Sequence, residues 1–226
     1  MIKVHHLNNS RSQRVLWLLE ELELPYEVLR YERDPATMLA PAALRAVHPL
    51  GKSPLVEDGG QVMAESAAII ETLVERYDPH HVISPPPLPQ DAPERLRYRY
   101  WLHYAEGSAM PPLLLGLVFA RLKQAPMPFF AKPIARSIAD KAIAGFVGPQ
   151  IKLHLDYLES ELGRHEWFAG DRFTAADIQM SFPVEAAAAR ASDPARPRMR
   201  DFLDRIHARP AYQRALERGG VFELAR

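Results

Sequence analysis

Six prolines fall within residues 79–93, PHHVISPPPLPQDAP, and that run constrains the chain more than any other feature. Proline lacks a backbone N–H and its ring collides with the preceding helical turn, so neither a long helix nor a central strand can cross such a segment. It reads as an interdomain linker. Before it, strand-like and helical segments alternate; after it, almost everything has helical spacing. The expected division is a first domain at residues 1–79, a linker at 80–90 and an all-α domain at 91–226, and 226 residues suffice for two cores. No repeat at a fixed period cuts across this plan.

In the first part, Ile2 to His6 reads as a short strand. A helix opening at Ser10 then sets Val15, Leu18, Leu19 and Leu22 at the i, i+3, i+4, i+7 spacing of one apolar face. Pro25 closes it. Tyr26 to Tyr31, rich in aromatic and branched side chains, reads as a second strand, and the helical crossover makes it parallel to the first. Pro41 to Val47 has helical character. Leu55 to Glu57 and Gln61 to Ala64 flank the turn Asp58-Gly59-Gly60 as a hairpin, and Glu65-Ser66 opens a helix carrying Ile69, Ile70, Leu73 and Val74 to Tyr77. The order is β-α-β-α-β-β-α.

Two helix starts stand out in the second part. Asp91 is expected as an N-cap, with Pro93 in the first turn and Glu94 three positions on. In Phe173-Thr-Ala-Ala-Asp-Ile178, Thr174 and Asp177 have the spacing of a capping box, with Phe173 placed to staple onto Ile178, which gives Asp177 a structural role.

Several functions are excluded by what the chain lacks. It has no cysteine, so disulfides, thiolate metal sites and a protein-borne sulfur nucleophile are out; any thiol chemistry must use a sulfur that a ligand brings. With 28 Lys and Arg against 28 Asp and Glu and no basic block, nothing argues for a nucleic-acid partner. The histidines show no metal-ligand spacing: His5 and His6 would point to opposite faces of a strand, and His80 and His81 sit in the proline-rich loop. They read as surface or packing residues. The start Met1-Ile-Lys-Val runs into His5, His6 and Asn8 rather than an apolar stretch, and the longest apolar run, Pro111 to Ala120, is too short for a bilayer. A cytoplasmic address without a membrane partner is the expectation. The tripeptide Gly51-Lys-Ser53 ends like a phosphate loop, but position 46 is Ala where that motif needs Gly, and Pro54 biases Ser53 towards extended backbone.

Four segments explain that tripeptide differently. NNSRSQRVLWLLEEL (Asn8 to Leu22), HPLGKSPLVEDGG (His48 to Gly60), ESAAI (Glu65 to Ile69) and FTAADI (Phe173 to Ile178) stand in the order and spacing found in the glutathione S-transferase superfamily, which the chain resembles over nearly its whole length. The first segment is most similar to bacterial and fungal serine-type members. The resemblance implies a thioredoxin-like βαβαββα domain followed by an all-α domain. It also implies a cis Pro54, so that Ser53 offers its backbone N–H and C=O to the cysteinyl part of glutathione like an added strand, with Lys52 near the glycine carboxylate. Glu65 and Ser66 fit the γ-glutamyl end on independent grounds: the first amides of a helix lack intrahelical partners and can receive a carboxylate beside the Ser66 hydroxyl, while Glu65 takes the ammonium. A plain helix cap is the alternative for this pair.

The resemblance also implies a hydroxyl donor for the glutathione thiolate. Lowering a free thiol pKa of ~8.5 by about two requires roughly 2.7 kcal/mol of selective anion stabilisation, which a hydroxyl and a helix N-terminus can supply together. Ser10 is the expected donor, with Asn9 and Ser12 in reserve, since a one-residue change in the turn would exchange them; capping the following helix is the other role open to Ser10. The electrophile pocket is expected between the domains. Tyr100, His103, Tyr104, Gly107 and Met110 lie on or near one side of a helix there, although Trp101, Tyr104 and Met110 could equally be core. Residues Gln124 to Pro133 could cover that pocket or form an exposed loop. The expected function is conjugation of glutathione, as co-substrate and without a metal, to small hydrophobic electrophiles by a homodimeric detoxifying transferase. A glutathione-dependent peroxidase or disulfide reductase, or a non-catalytic binding protein on the same fold, are the alternatives.

Overall fold

The computed structural model describes residues 1–87, 89, 91–189 and 196–225; Leu88 and Gln90 of the expected linker and residues 190–195 and 226 of the expected second domain lie outside the described residues. Strand β1 (Ile2–Leu7) pairs in parallel with β2 (Tyr26–Tyr31), Ile2 opposite Tyr26 and Leu7 opposite Tyr31, with α1 (Ser12–Glu21) as the crossover. After the short α2 (Ala43–Val47), β3 (Leu55–Asp58) runs antiparallel to β1 and β4 (Gln61–Ala64) antiparallel to β3, giving the sheet order β2-β1-β3-β4. Gly59 and Gly60 turn the β3–β4 hairpin with φ of 56° and 82°, a left-handed pair that side chains resist. Helix α3 (Ser66–Tyr77) follows at once.

Each face of the sheet finds a cover. Leu44 of α2 packs on Leu7 and Leu55, closing one side. On the other, Val4 and Val56 meet α1 and α3. The expected single apolar face of α1 proves too modest: Val15 to Leu19 are all fully buried, because the helical half of the molecule covers the side turned away from the sheet. There Trp17 meets Tyr212 edge-on at 5.1 Å.

The second half begins with α4 (Pro93–Tyr104), which passes through a π-helical turn at Ala105–Ala109 into α5 (Met110–Gln124). Ala92 rather than Asp91 occupies the N-cap, and this corrects the expectation. Pro93 takes the first helical position, where its missing N–H costs nothing, and a proline holds the residue before it in extended geometry, so the cap moves one place on. Then come α6 (Lys132–Ala142), α7 (Gly148–Arg164), α8 (Ala175–Ala188), α9 (Pro197–His207) and α10 (Pro210–Gly219). Of the segment Gln124–Pro133, only residues 125–131 lie outside helices, and Phe129 and Phe130 there are exposed.

Helix α8 is buried on every side from Ala175 to Ala187, as an apolar helix at the centre of a bundle must be. Its capping box is present: the Thr174 amide donates to Asp177 Oδ2 at 2.8 Å, and Oδ1 takes the Phe168 amide at 2.8 Å. Phe173 lies against Trp17 and Trp167, with the Arg209 guanidinium 3.8 Å from its ring centre.

Candidate functional site at the junction of sheet and bundle

The turn from β1 to α1 is where the chemistry-bearing residues gather. Asn9 has φ of +48°, a left-handed conformation that asparagine tolerates, and this bends the chain so that Ser10 turns inward ahead of the helix. Helix α1 starts at Ser12 with Arg11 before it, and Ser10 Oγ accepts from the Ser12 amide at 3.3 Å, so Ser10 caps the helix start while its own hydrogen remains to be donated. Its Oγ lies 2.8 Å from Ser12 Oγ and 3.5 Å from Ser53 Oγ. Ser12 is turned away, bonded to His6 Nδ1 at 2.9 Å and reached by the Leu7 amide at 3.3 Å. Asn9 Oδ1 is occupied by the Glu223 amide at 2.9 Å. Of the three candidate donors, Ser10 is the one beside Ser53.

Ser53 arrives by a second turn. Gly51 has φ of +56°, and a Cβ there would stand 2.6 Å from Arg45 Cγ, so glycine is required. The Ser53–Pro54 peptide bond is cis. Ser53 Oγ donates to the His5 carbonyl at 3.0 Å, while its own amide and carbonyl take no partner among the described residues. The adjoining Lys52 side chain is exposed and forms no ion pair among the described residues.

A third turn is tied to α1 through Arg14. Glu65 is exposed, holds φ of +69° and precedes Ser66, the first residue of α3, whose early amides point outward. Ser66 Oγ accepts from Arg14 Nη2 at 2.9 Å. Arg14 is itself fully buried and also reaches the Gln179 carbonyl at 2.7 Å and Glu106 Oε1 at 2.6 Å. Arg11 holds the same Glu106 carboxylate at 2.8 Å. Burial pushes the Glu106 carboxyl up, but Arg14 and Arg11 more than reverse this and hold it below the usual carboxylate range.

The residues expected to line an electrophile pocket do not converge. His103 is exposed and faces Glu71 of α3 at 4.0 Å; Tyr104 is buried with its hydroxyl 2.5 Å from His154 Nδ1; Met110 lies in the core; Gly107 is exposed in the π-turn. Neighbouring Glu106 reaches the junction instead. A recess of about 410 Å³ between α3, residues 79–87 and α4, lined by Glu71, Asp78, Pro86 and Tyr98, shares none of the residues around Ser10. Among the described residues no group of three His, Asp or Glu side chains could hold a metal, and no helix is long and apolar enough to cross a membrane.

Sequence reasoning passed over Arg14, Glu106 and His6. Arg14 alone had left a signal: an arginine in the first turn of α1, next to Val15 and four residues before Leu18, sits on the face that must be buried. Glu106 lay in a stretch read only for aromatic and small residues.

A thioredoxin-like sheet domain that leads into a helical bundle, with three turns meeting at their junction, defines the glutathione S-transferase fold. The chain belongs to the glutathione S-transferase family: it matches that family's N-terminal domain over residues 10–76 and its C-terminal domain over residues 125–210. It is 42% identical over 187 residues to Glutathione S-transferase 3 of Schizosaccharomyces pombe, covering 83% of this chain and 74% of that protein. Glutathione S-transferase 1 of Saccharomyces cerevisiae is 37% identical over 194 residues, covering 83% and 81%. A crystal structure of a glutathione S-transferase from Actinobacillus pleuropneumoniae superposes with a TM-score of 0.81 at 32% identity, covering 100% of this chain and 96% of that one.

Proposed function

We propose that the protein binds glutathione along the free backbone of Ser53, holds its sulfur as thiolate at Ser10, and transfers it to an electrophilic carbon of a small hydrophobic substrate. The observation that carries this is the 3.5 Å separation of Ser10 Oγ and Ser53 Oγ, which sets a hydroxyl at the N-terminal end of α1 beside a stretch of free backbone suited to an extended tripeptide. Pro54 shapes that stretch and Lys52 takes the glycine carboxylate. At the γ-glutamyl end, the Ser66 hydroxyl already accepts from Arg14, so its own hydrogen is free for the carboxylate, and Glu65 takes the ammonium. Ser12 is bonded to His6 and Asn9 is tied through its Oδ1 to the Glu223 amide, while Ser10 lies beside Ser53, which favours Ser10 as donor. No cysteine competes with the ligand's sulfur.

The reading places glutathione recognition in residues 1–79 and electrophile recognition in 91–226, joined by a linker at 80–90, in a cytoplasmic homodimer devoted to detoxification. Among the expected lining residues, Gly107, exposed next to Glu106, is the one best suited to line an electrophile pocket; His103, Tyr104 and Met110 are better suited to helix contacts and core.

The test is calorimetric titration with glutathione followed by turnover of an aryl halide beside reduction of a hydroperoxide. Ser10→Ala is expected to lower turnover of the halide by about one to three orders of magnitude with glutathione affinity nearly unchanged. Turnover unaffected by that change would discard Ser10. Reduction without conjugation would assign the protein to the peroxidase class, and binding without either reaction to a non-catalytic role.

A further inference from the structure

The hydrogen-bonded chain behind Ser10 runs deeper than thiolate stabilisation by one hydroxyl requires. Ser10 Oγ is 2.8 Å from Ser12 Oγ, which is 2.9 Å from His6 Nδ1, and all three side chains are buried. The Gly219 backbone lies beside the ring and favours its protonated form. Each hydroxyl owns one hydrogen and the Leu7 amide fills one lone pair of Ser12 Oγ at 3.3 Å, so when both links are made in preference to the longer 3.4 Å contact with the Leu7 carbonyl they run in one direction. When the neutral ring carries its hydrogen on Nε2, Nδ1 accepts from Ser12, Ser12 accepts from Ser10, and Ser10 presents only a lone pair to the site. For Ser10 to donate to an anionic sulfur, both links must reverse and Nδ1 must carry a hydrogen. A hydrogen delivered to Nδ1 of a ring that already carries one on Nε2 makes the imidazolium.

We propose that His6 is a positioning residue whose protonation, transmitted through Ser12, turns the Ser10 hydroxyl outward and is thereby coupled to formation of the glutathione thiolate. This rests on the reading that the sulfur docks at Ser10. The coupling has a balanced route: the thiol S–H proton passes to Ser10 Oγ, the Ser10 hydrogen to Ser12 Oγ, and the Ser12 hydrogen to His6 Nδ1, leaving thiolate and imidazolium with no proton lost to solvent.

The groups facing the ring make the coupling conditional. Arg30 of β2 opposes protonation; α1 supplies the uncharged Ser12 and α10 only the Gly219 backbone. Burial first and Arg30 second depress the imidazole to about 4, against the favourable Gly219 contribution, so the ring of the free protein is neutral at physiological pH and its Nε2–H tautomer leaves Nδ1 to accept from Ser12. A thiolate at its outer end is the added charge that favours reversal.

The test is an NMR titration of the ¹⁵N-labelled His6 imidazole with glutathione and with S-methylglutathione, which offers the same tripeptide without an ionisable sulfur. The ring is expected to titrate about one pH unit or more higher with glutathione than with the S-methyl compound. Ser12→Ala should abolish that difference and cut kcat about tenfold while KM for glutathione holds, and Ser12→Thr should restore both. Identical His6 titrations with both ligands bound would overturn the proposal. Failure of either ligand to bind by calorimetry would remove the glutathione reading itself, and this one with it.

Discussion

The two buried histidines of β1 meet different surroundings. His5 bonds to the Tyr31 hydroxyl at 3.0 Å and Glu57 at 2.9 Å, whereas His6 is packed among serines and backbone with a cation nearby. An unfolded imidazole ionises near 6.5 and the folded His6 near 4, so between those values the unfolded chain binds the extra proton and stability falls as pH drops. Across that window the loss is about 3 kcal/mol, and urea unfolding of His6→Asn should show a correspondingly flatter dependence on pH. Ser66 belongs to the same scale. Its change to Ala should abolish retention on immobilised glutathione, whereas Ser10→Ala should still be retained; equal retention of both would detach the γ-glutamyl carboxylate from Ser66. Neither role of His6 could be read from residues 1–15 alone, because strand alternation tells which face a side chain takes and not what waits there.

At the scale of elements, helix ends were the most readable features and also the place where a local rule misled. FTAADI gave the start of α8 correctly, since a capping box involves only residues three apart. Asp177→Ala removes the acceptor for the Thr174 and Phe168 amides, both buried, and should cost about 2–4 kcal/mol in chemical denaturation without altering glutathione affinity. Asp91 failed as a cap although its residue type was right, because Pro93 dictated which position preceded the helix. Hairpin β3–β4 and the parallel pair β1–β2 came out within a residue of expectation, as glycine placement and crossover length are local facts too.

For the whole molecule, the decisive contacts join segments far apart in the chain. Trp17 of α1 rests on Tyr212 of α10, Arg209 binds the Glu21 carboxylate at 2.6 Å and 2.9 Å, and Arg14 and Arg11 bind Glu106 across the junction. Glu106→Gln leaves Arg14 buried without its counter-charge and should destabilise the protein by about 3 kcal/mol, read as a lower urea midpoint. The native Glu106 carboxyl lies below its unfolded value, so its contribution is present above about pH 4.5 and is lost on acidification; the Gln variant should lose less stability over that acid range. Adding a methyl at α10 tests the same junction, since a Cβ on Gly219 would stand 2.7 Å from Gln13 Oε1 and 2.9 Å from Leu16 Cδ1. Gly219→Ala should lower stability by about 1–3 kcal/mol. By itself the sequence determined the order of strands and helices, the glycine turn of the β3–β4 hairpin and the capping box of α8, because each follows from the dihedral limits and hydrogen bonding of a few consecutive residues. Only the tertiary structure decided that Ser10 rather than Ser12 faces Ser53, that Arg14 braces Ser66, and that Glu106, 92 residues further on, balances its charge, because burying a polar group obliges it to find partners wherever the fold brings them.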